Sequence, residues 1–144
     1  EKKDALYIFG TAVMSLALSY LLGQFYYHQP PFMQYETIIQ SQPENSFPSQ
    51  HTAILFGTAF SLLWRRYRKS GALLSIAAVL TGIARIYIGE HFLVDIVGGV
   101  AAALAGLGIL FLGRSRFDPH ISWLAAKAQA LEDRVRQTLL GRAV

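Results

Sequence analysis

Residues 92–113 read FLVDIVGGVAAALAGLGILFLG, an apolar run in which Asp95 is the single ionisable side chain. As a helix, a run of this length crosses the hydrocarbon core of a bilayer, which needs about 20 residues. A carboxylate placed in such a run is costly and calls for a task. Working outward, the pattern recurs. Residues 70–88 are uncharged up to Arg85, and residues 5–27 carry no charge at all. The apolar run 52–64 is short, but extended to 48–66 it makes a marginal span. Tyr26, Tyr27, Trp64 and Tyr87 sit near the ends of these runs, where amphipathic rings anchor at the interface. The chain of 144 residues is 53% hydrophobic with a mean hydropathy of +0.34, too apolar and too thinly charged for an ordinary soluble domain. These features predict an all-α integral membrane bundle with four transmembrane helices.

The basic residues orient it. Lys2 and Lys3 precede the first run, Arg65, Arg66, Arg68 and Lys69 separate the second and third, and Arg114 and Arg116 follow the fourth. If all four runs span, these clusters share one side, which the positive-inside rule makes cytoplasmic. Loop 28–48 and turn 85–92 then share the external side. Four buried helices of a soluble bundle would leave that parity a coincidence. The net charge of +4 and pI near 9.6 come from cations at the ends of apolar runs, which points to anionic lipid headgroups and not to nucleic acid. The absence of Cys excludes disulfides and thiolate chemistry. The first residue is Glu1, so upstream residues are expected to have been removed or left out, and no signal peptide is legible.

The division expected is a transmembrane core over 1–116 and a tail over 117–144. In the tail, Ile121, Leu124, Ala128, Leu131 and Val135 recur at helical spacing among charged residues, an amphipathic helix over 121–139 with Asp118 and Pro119 at its start. It has three uses open to it: lying on the cytoplasmic leaflet with Trp123 as anchor, pairing with a partner helix, or packing on its own protein.

Arg85, Glu90, His91 and Asp95 crowd the external end of the third and fourth runs, and His51 opens the second. His91 and Asp95 are four residues apart and share a helix face. A carboxylate on one imidazole nitrogen fixes the tautomer and leaves the other nitrogen free to attack. Arg85, across a short turn containing Gly89, has the fork geometry that clamps a phosphate. Pro48 and Ser49 read as a helix start, where free N–H groups favour an anion, with His51 in the first turn. Taken singly, each residue has a structural reading as an interfacial histidine or a salt bridge. Together they supply a nucleophile, an orienter, an acid and an anion clamp. Glu44 and Glu90 are neighbours of the set, which still makes a poor cage for Mg²⁺. The polar residues gather at one end of the bundle, which argues against a pore.

Pro48-Ser49-Gln50-His51 resembles the P-S-G-H motif of the type 2 phosphatidic acid phosphatase superfamily. Ala84-Arg85, His91 and Asp95 resemble its S-R-x5-H-x3-D motif, with Ala84 for the usual Ser. The string 44–52, ENSFPSQHT, with Phe25-Tyr26-Tyr27-His28 and Pro31-Phe32 upstream, looks most like the bacterial undecaprenyl-diphosphate phosphatase branch. The resemblance covers roughly residues 10–113. It implies hydrolysis of a polyprenyl diphosphate or a related lipid phosphate at the outer face of a bacterial inner membrane, without metal or cofactor. By it, His91 forms a phosphohistidine, Asp95 orients His91, and His51 protonates the leaving oxygen. Ser49, the Gln50 backbone N–H and Arg85 hold the phosphoryl oxygens. Another lipid phosphate, or binding of phospholipid without hydrolysis, are the alternatives it leaves. The superfamily's K-x6-R-P motif is not matched: Pro30 stands where its Arg would be, and His28 or Gln29 is expected to compensate in part. The family core usually has six spans, of which these four match the last four. Either the first helices are missing, or the bundle borrows packing from a partner such as a second copy.

Overall fold

A computed structural model describes residues 1–38 and 44–140. Residues 39–43 of the expected external loop and residues 141–144 of the tail lie outside the described residues. The described chain is all-α: α1 (Lys2–Phe25), a 3-10 turn (Pro31–Met33), α2 (Gln50–Trp64), α3 (Arg68–Tyr87), α4 (Leu93–Leu112) and α5 (Arg114–Leu140). The helices α1, α2 and α4 pack on one another, α3 runs along α2, and α5 touches α1 and the end of α4.

The packing is that of a membrane bundle. Its interior is built from Thr11, Ser15 and Ser19 of α1, Ala53 and Ser61 of α2, and Ala102 and Ala103 of α4, while Phe9, Leu73, Ile83, Val97 and Leu112 face outward. Lipid tails satisfy large apolar side chains as well as a core does, so close helix approach falls to small residues. The hydroxyls that end up inside are satisfied within the bundle: Ser15 Oγ donates to the Thr11 carbonyl at 2.8 Å, and Thr11 Oγ1 reaches Ser61 at 3.1 Å. Gly99 is required by this closeness, because a Cβ there would lie 2.6 Å from the Ser49 backbone oxygen.

Among the described residues three helices, α1, α3 and α4, are long and apolar enough to cross a membrane. The protein is a multi-pass membrane protein. The fourth expected span, α2, has 15 residues. At 1.5 Å per residue it covers roughly 22 Å, less than the ~30 Å hydrocarbon core. Ser49 is its N-cap and Arg66, at φ 71°, ends it.

At the basic end, Asp4 accepts from Arg65 Nε at 2.6 Å and from the Tyr67 hydroxyl at 3.0 Å, and the latter bond pushes the Tyr67 phenol up. Tyr7 hydrogen-bonds Asp118, and Lys2 pairs with Glu132, whose carboxyl that bond holds below the usual carboxylate range. The tail helix begins at Arg114, ahead of the start expected at Asp118 and Pro119. Gly113 accepts from the N–H groups of Arg116 and Phe117, so the turn that ends α4 also starts α5, and Pro119 falls inside the helix.

Candidate active site

The turn between α3 and α4 sets the geometry. The Arg85 carbonyl accepts from the N–H groups of Glu90 at 3.1 Å and His91 at 3.3 Å, folding His91 back beside Arg85. Gly89 makes this possible at φ +86°, a backbone region that costs an L side chain energy. The segment 31–38 lies over the turn: Phe32 N–H donates to the Gly89 carbonyl at 3.0 Å, and a Cβ on Gly89 would lie 2.3 Å from Thr37.

Asp95, at the third position of α4, is fully buried. Its Oδ2 accepts from the Phe92 N–H at 2.8 Å, and its Oδ1 accepts from His28 Nδ1 at 2.6 Å. His91 Nδ1 stands 3.7 Å from Oδ2, beyond hydrogen-bond length, and is buried without a hydrogen bond. Arg85 Nη2 lies 3.4 Å from His91 Nε2. A guanidinium only donates, so Nε2 presents its lone pair on the Arg85 side and Nδ1 carries the proton toward Asp95. Arg85 Nη1 forms a close ion pair with Glu90, and Arg85 Nε is buried without a partner. Arg85, Glu90 and His91 line a cavity of about 90 Å³, closed further by Pro30, Phe32, Glu44, Asn45 and Ser46.

The second motif is tied to the first by backbone. Ser49 N–H donates to the Asp95 carbonyl at 2.9 Å, fixing the start of α2 against the start of α4. Ser49 is buried, and its hydroxyl oxygen accepts from Thr52 at 3.1 Å, which leaves its own proton free. Gln50 and His51 are exposed in the first turn, with His51 within electrostatic reach of Arg85, His91 and Glu90. Neither lines the cavity, nor do Ser49 and Asp95. Among the described residues no cluster of three or more His, Cys, Asp or Glu could hold a metal ion.

Two sequence expectations shift in detail. His28, read with Gln29 as partial compensation for a missing phosphate cation, bonds Asp95 through Nδ1. Glu90, read as a neighbour, sits on Arg85. Sequence reasoning gave no role to Asn45 and Ser46. Asn45 Oδ1 accepts from the His28 N–H at 2.9 Å, Asn45 Nδ2 donates to Gly23 and Tyr26 at 2.8 Å, and Ser46 Oγ donates to the His28 carbonyl at 2.8 Å. These contacts hold His28 in place, with its ring 5.0 Å from that of Phe92. Their sequence signal is the string 44–52 itself, two turn-forming residues just before a helix start.

The family model of the PAP2 superfamily matches residues 4–118, most of the chain and both motifs. The chain belongs to the PAP2 superfamily. Among curated proteins, this PAP2 chain is 35% identical over 113 residues to undecaprenyl-diphosphatase BcrC of Bacillus subtilis (strain 168), covering 77% of this chain and 58% of that protein. It is 33% identical over 96 residues to the putative undecaprenyl-diphosphatase YbjG of Escherichia coli (strain K12), covering 65% and 48%. It is 32% identical over 103 residues to the bacitracin transport permease protein BcrC of Bacillus licheniformis, covering 69% and 49%. The chain thus spans about half the length of the curated relatives it matches. No solved structure matches it at a significant level.

Proposed function

We propose that this PAP2 chain carries the catalytic site of a membrane lipid phosphatase, which hydrolyses a polyprenyl diphosphate of the undecaprenyl type through a phosphohistidine. The observation that carries the reading is the pairing of His91 Nε2 with Arg85 at the wall of one cavity, with the buried Asp95 behind the ring. An orphaned, buried guanidinium N–H beside a nucleophilic nitrogen is what a phosphoryl oxygen satisfies. Two curated relatives bearing the name undecaprenyl-diphosphatase support the substrate class.

In this mechanism the His91 Nε2 lone pair forms a bond to the terminal phosphorus as the bridging P–O bond breaks. Asp95 stabilises the positive ring through Nδ1–H, closing the 3.7 Å gap as charge develops. His51 gives its proton to the departing lipid monophosphate. It then takes one from the water that attacks the phosphohistidine, which releases inorganic phosphate and restores His91. Arg85, Ser49 and the Gln50 N–H hold the phosphoryl oxygens, positioning and stabilising the transferred group. Glu44 and Glu90 flank the cavity. The site faces the outside of a bacterial inner membrane, opposite the basic clusters. The core over 1–116 does the chemistry, and 117–144 is accessory.

One observation favours a second reading, a family member that binds phospholipid without hydrolysis: Pro30 is fully buried in the cavity wall where a second cation would stand. Phosphate release by purified protein from a panel of lipid phosphates and diphosphates, with and without EDTA, tests both. The proposal expects release that survives EDTA. Lipid binding without release supports the second reading, and release that needs added Mg²⁺ overturns the metal-free mechanism.

A further inference from the structure

The tail helix α5 leaves the bundle one residue after the membrane span α4 ends, and its sides are sorted by chemistry. At 3.6 residues per turn, Asp118, Ala125 and Glu132 share one face. That face docks on α1: Ala125 is buried, Asp118 bonds Tyr7, and Glu132 pairs with Lys2. The docking fixes α5 against rotation about its own axis. Beside the docked face runs a stripe of Leu124, Leu131, Val135 and Leu139, all exposed, Leu131 and Leu139 at 65%. On the stripe's other flank, Arg116, Trp123, Lys127 and Arg134 align at spacings of seven, four and seven. Trp123 is exposed, with Lys127 Nζ 4.0 Å from its ring centre. Asp133 lies on the side away from the stripe, bonded to Gln129 at 3.2 Å.

From this arrangement we propose that α5 lies in the headgroup layer of an anionic phospholipid leaflet, its leucine stripe dipped toward the acyl chains and Arg116, Lys127 and Arg134 on lipid phosphates. Three features select a lipid surface over a second copy of the chain. The helix starts at the membrane boundary because α4 ends there. Trp123 stands with Arg116, Lys127 and Arg134 on the stripe's undocked edge, as an interfacial helix places an aromatic anchor among cations, while Arg136 on the docked edge stands beside Glu132. The nearest carboxylates on the other edge are already engaged by α1, so what the stripe's free edge offers is positive.

The test uses the full 144-residue chain, whose sequence contains no Cys. Single nitroxide labels at Leu131→Cys and Asp133→Cys are placed in protein reconstituted in vesicles of equimolar phosphatidylcholine and phosphatidylglycerol. Collision with oxygen reports the acyl region, and collision with a water-soluble nickel chelate reports solvent. Oxygen should dominate at 131 and nickel at 133, with loss of the difference in pure phosphatidylcholine or on adding Lys127→Glu and Arg134→Glu. Equal nickel access at both positions would mean a solvated helix and overturn the proposal. Protection of 131 from both reagents would mean a protein contact, such as a second copy, and would also overturn it. A difference indifferent to lipid charge and to the charge reversals would remove the anionic lipid from the account.

Discussion

Asp95 divides its two oxygens between His28 and the Phe92 N–H, and His91 waits at 3.7 Å. The pairing of His91 and Asp95 was legible from their spacing, but the shared helix face was not found: His91 precedes the N-cap Phe92, and the turn through Gly89 brings it to Asp95. His28 was not legible, since it lies 67 positions from Asp95 and nothing local marks where a loop histidine will point. Its short contact to a fully buried carboxylate gives it a positioning duty. His28→Ala leaves that carboxylate short of a partner, which costs about 1–3 kcal/mol. Unfolding of the variant by SDS titration in mixed micelles should therefore come earlier, and kcat should fall with little change in KM. A variant of normal stability whose KM alone rises would put His28 on the substrate phosphate instead. Pro30 was legible as a departure from the motif, and the cavity wall is where it stands. A charge-assisted contact at that wall acts on the transition state, so Pro30→Arg should raise kcat/KM about 10-fold. Steady-state kinetics beside Pro30→Ala decide this, and an Arg variant no better than Ala would place residue 30 outside the clamp.

At the scale of elements, apolar run length located α1, α3 and α4 well, because a bilayer demands long uninterrupted runs. It served α2 less well. Pro48 and Ser49 fix one end, Arg65 and Arg66 the other, and only 15 residues remain. Composition could extend that run on paper, but the caps do not move. The start of α5 was misplaced for a related reason: Pro119 reads as a first-turn residue, whereas Gly113 carbonyl bonds carry the helix back to Arg114. What seats α2 against the site is Gly99, whose missing side chain admits the Ser49 backbone. Gly99→Ala forces the two helix starts apart, at a cost of roughly 1–3 kcal/mol for overpacking, and should lower activity by moving Ser49 from Asp95. Gly108→Ala, with open space around it, should be silent in both assays. Equal behaviour of the two variants would show that the α2–α4 contact does not set the site.

The whole molecule presents its charged surface and its polar cavity at opposite ends of one bundle. Labelling of Glu36→Cys and Ser70→Cys from outside intact cells should mark Glu36 and spare Ser70, since the basic clusters belong inside. The reverse pattern would invert the site's orientation. Both motifs were readable because each is compact in sequence, and the 2.9 Å bond from Ser49 N–H to the Asp95 carbonyl joins them as one site. The cover of that site by residues 31–38, and the ion pair that occupies Arg85, depend on loop packing that no periodicity encodes. Covalent transfer of phosphate to His91 is the central step of the proposed reaction, and one measurement reaches it directly. Protein mixed with lipid diphosphate labelled in its terminal phosphate and quenched within a turnover should carry label that acid removes and alkali preserves. His91→Ala should carry none, with turnover reduced ~10³-fold or more. Label of the same stability on the His91→Ala protein, or full turnover without it, would contradict the account.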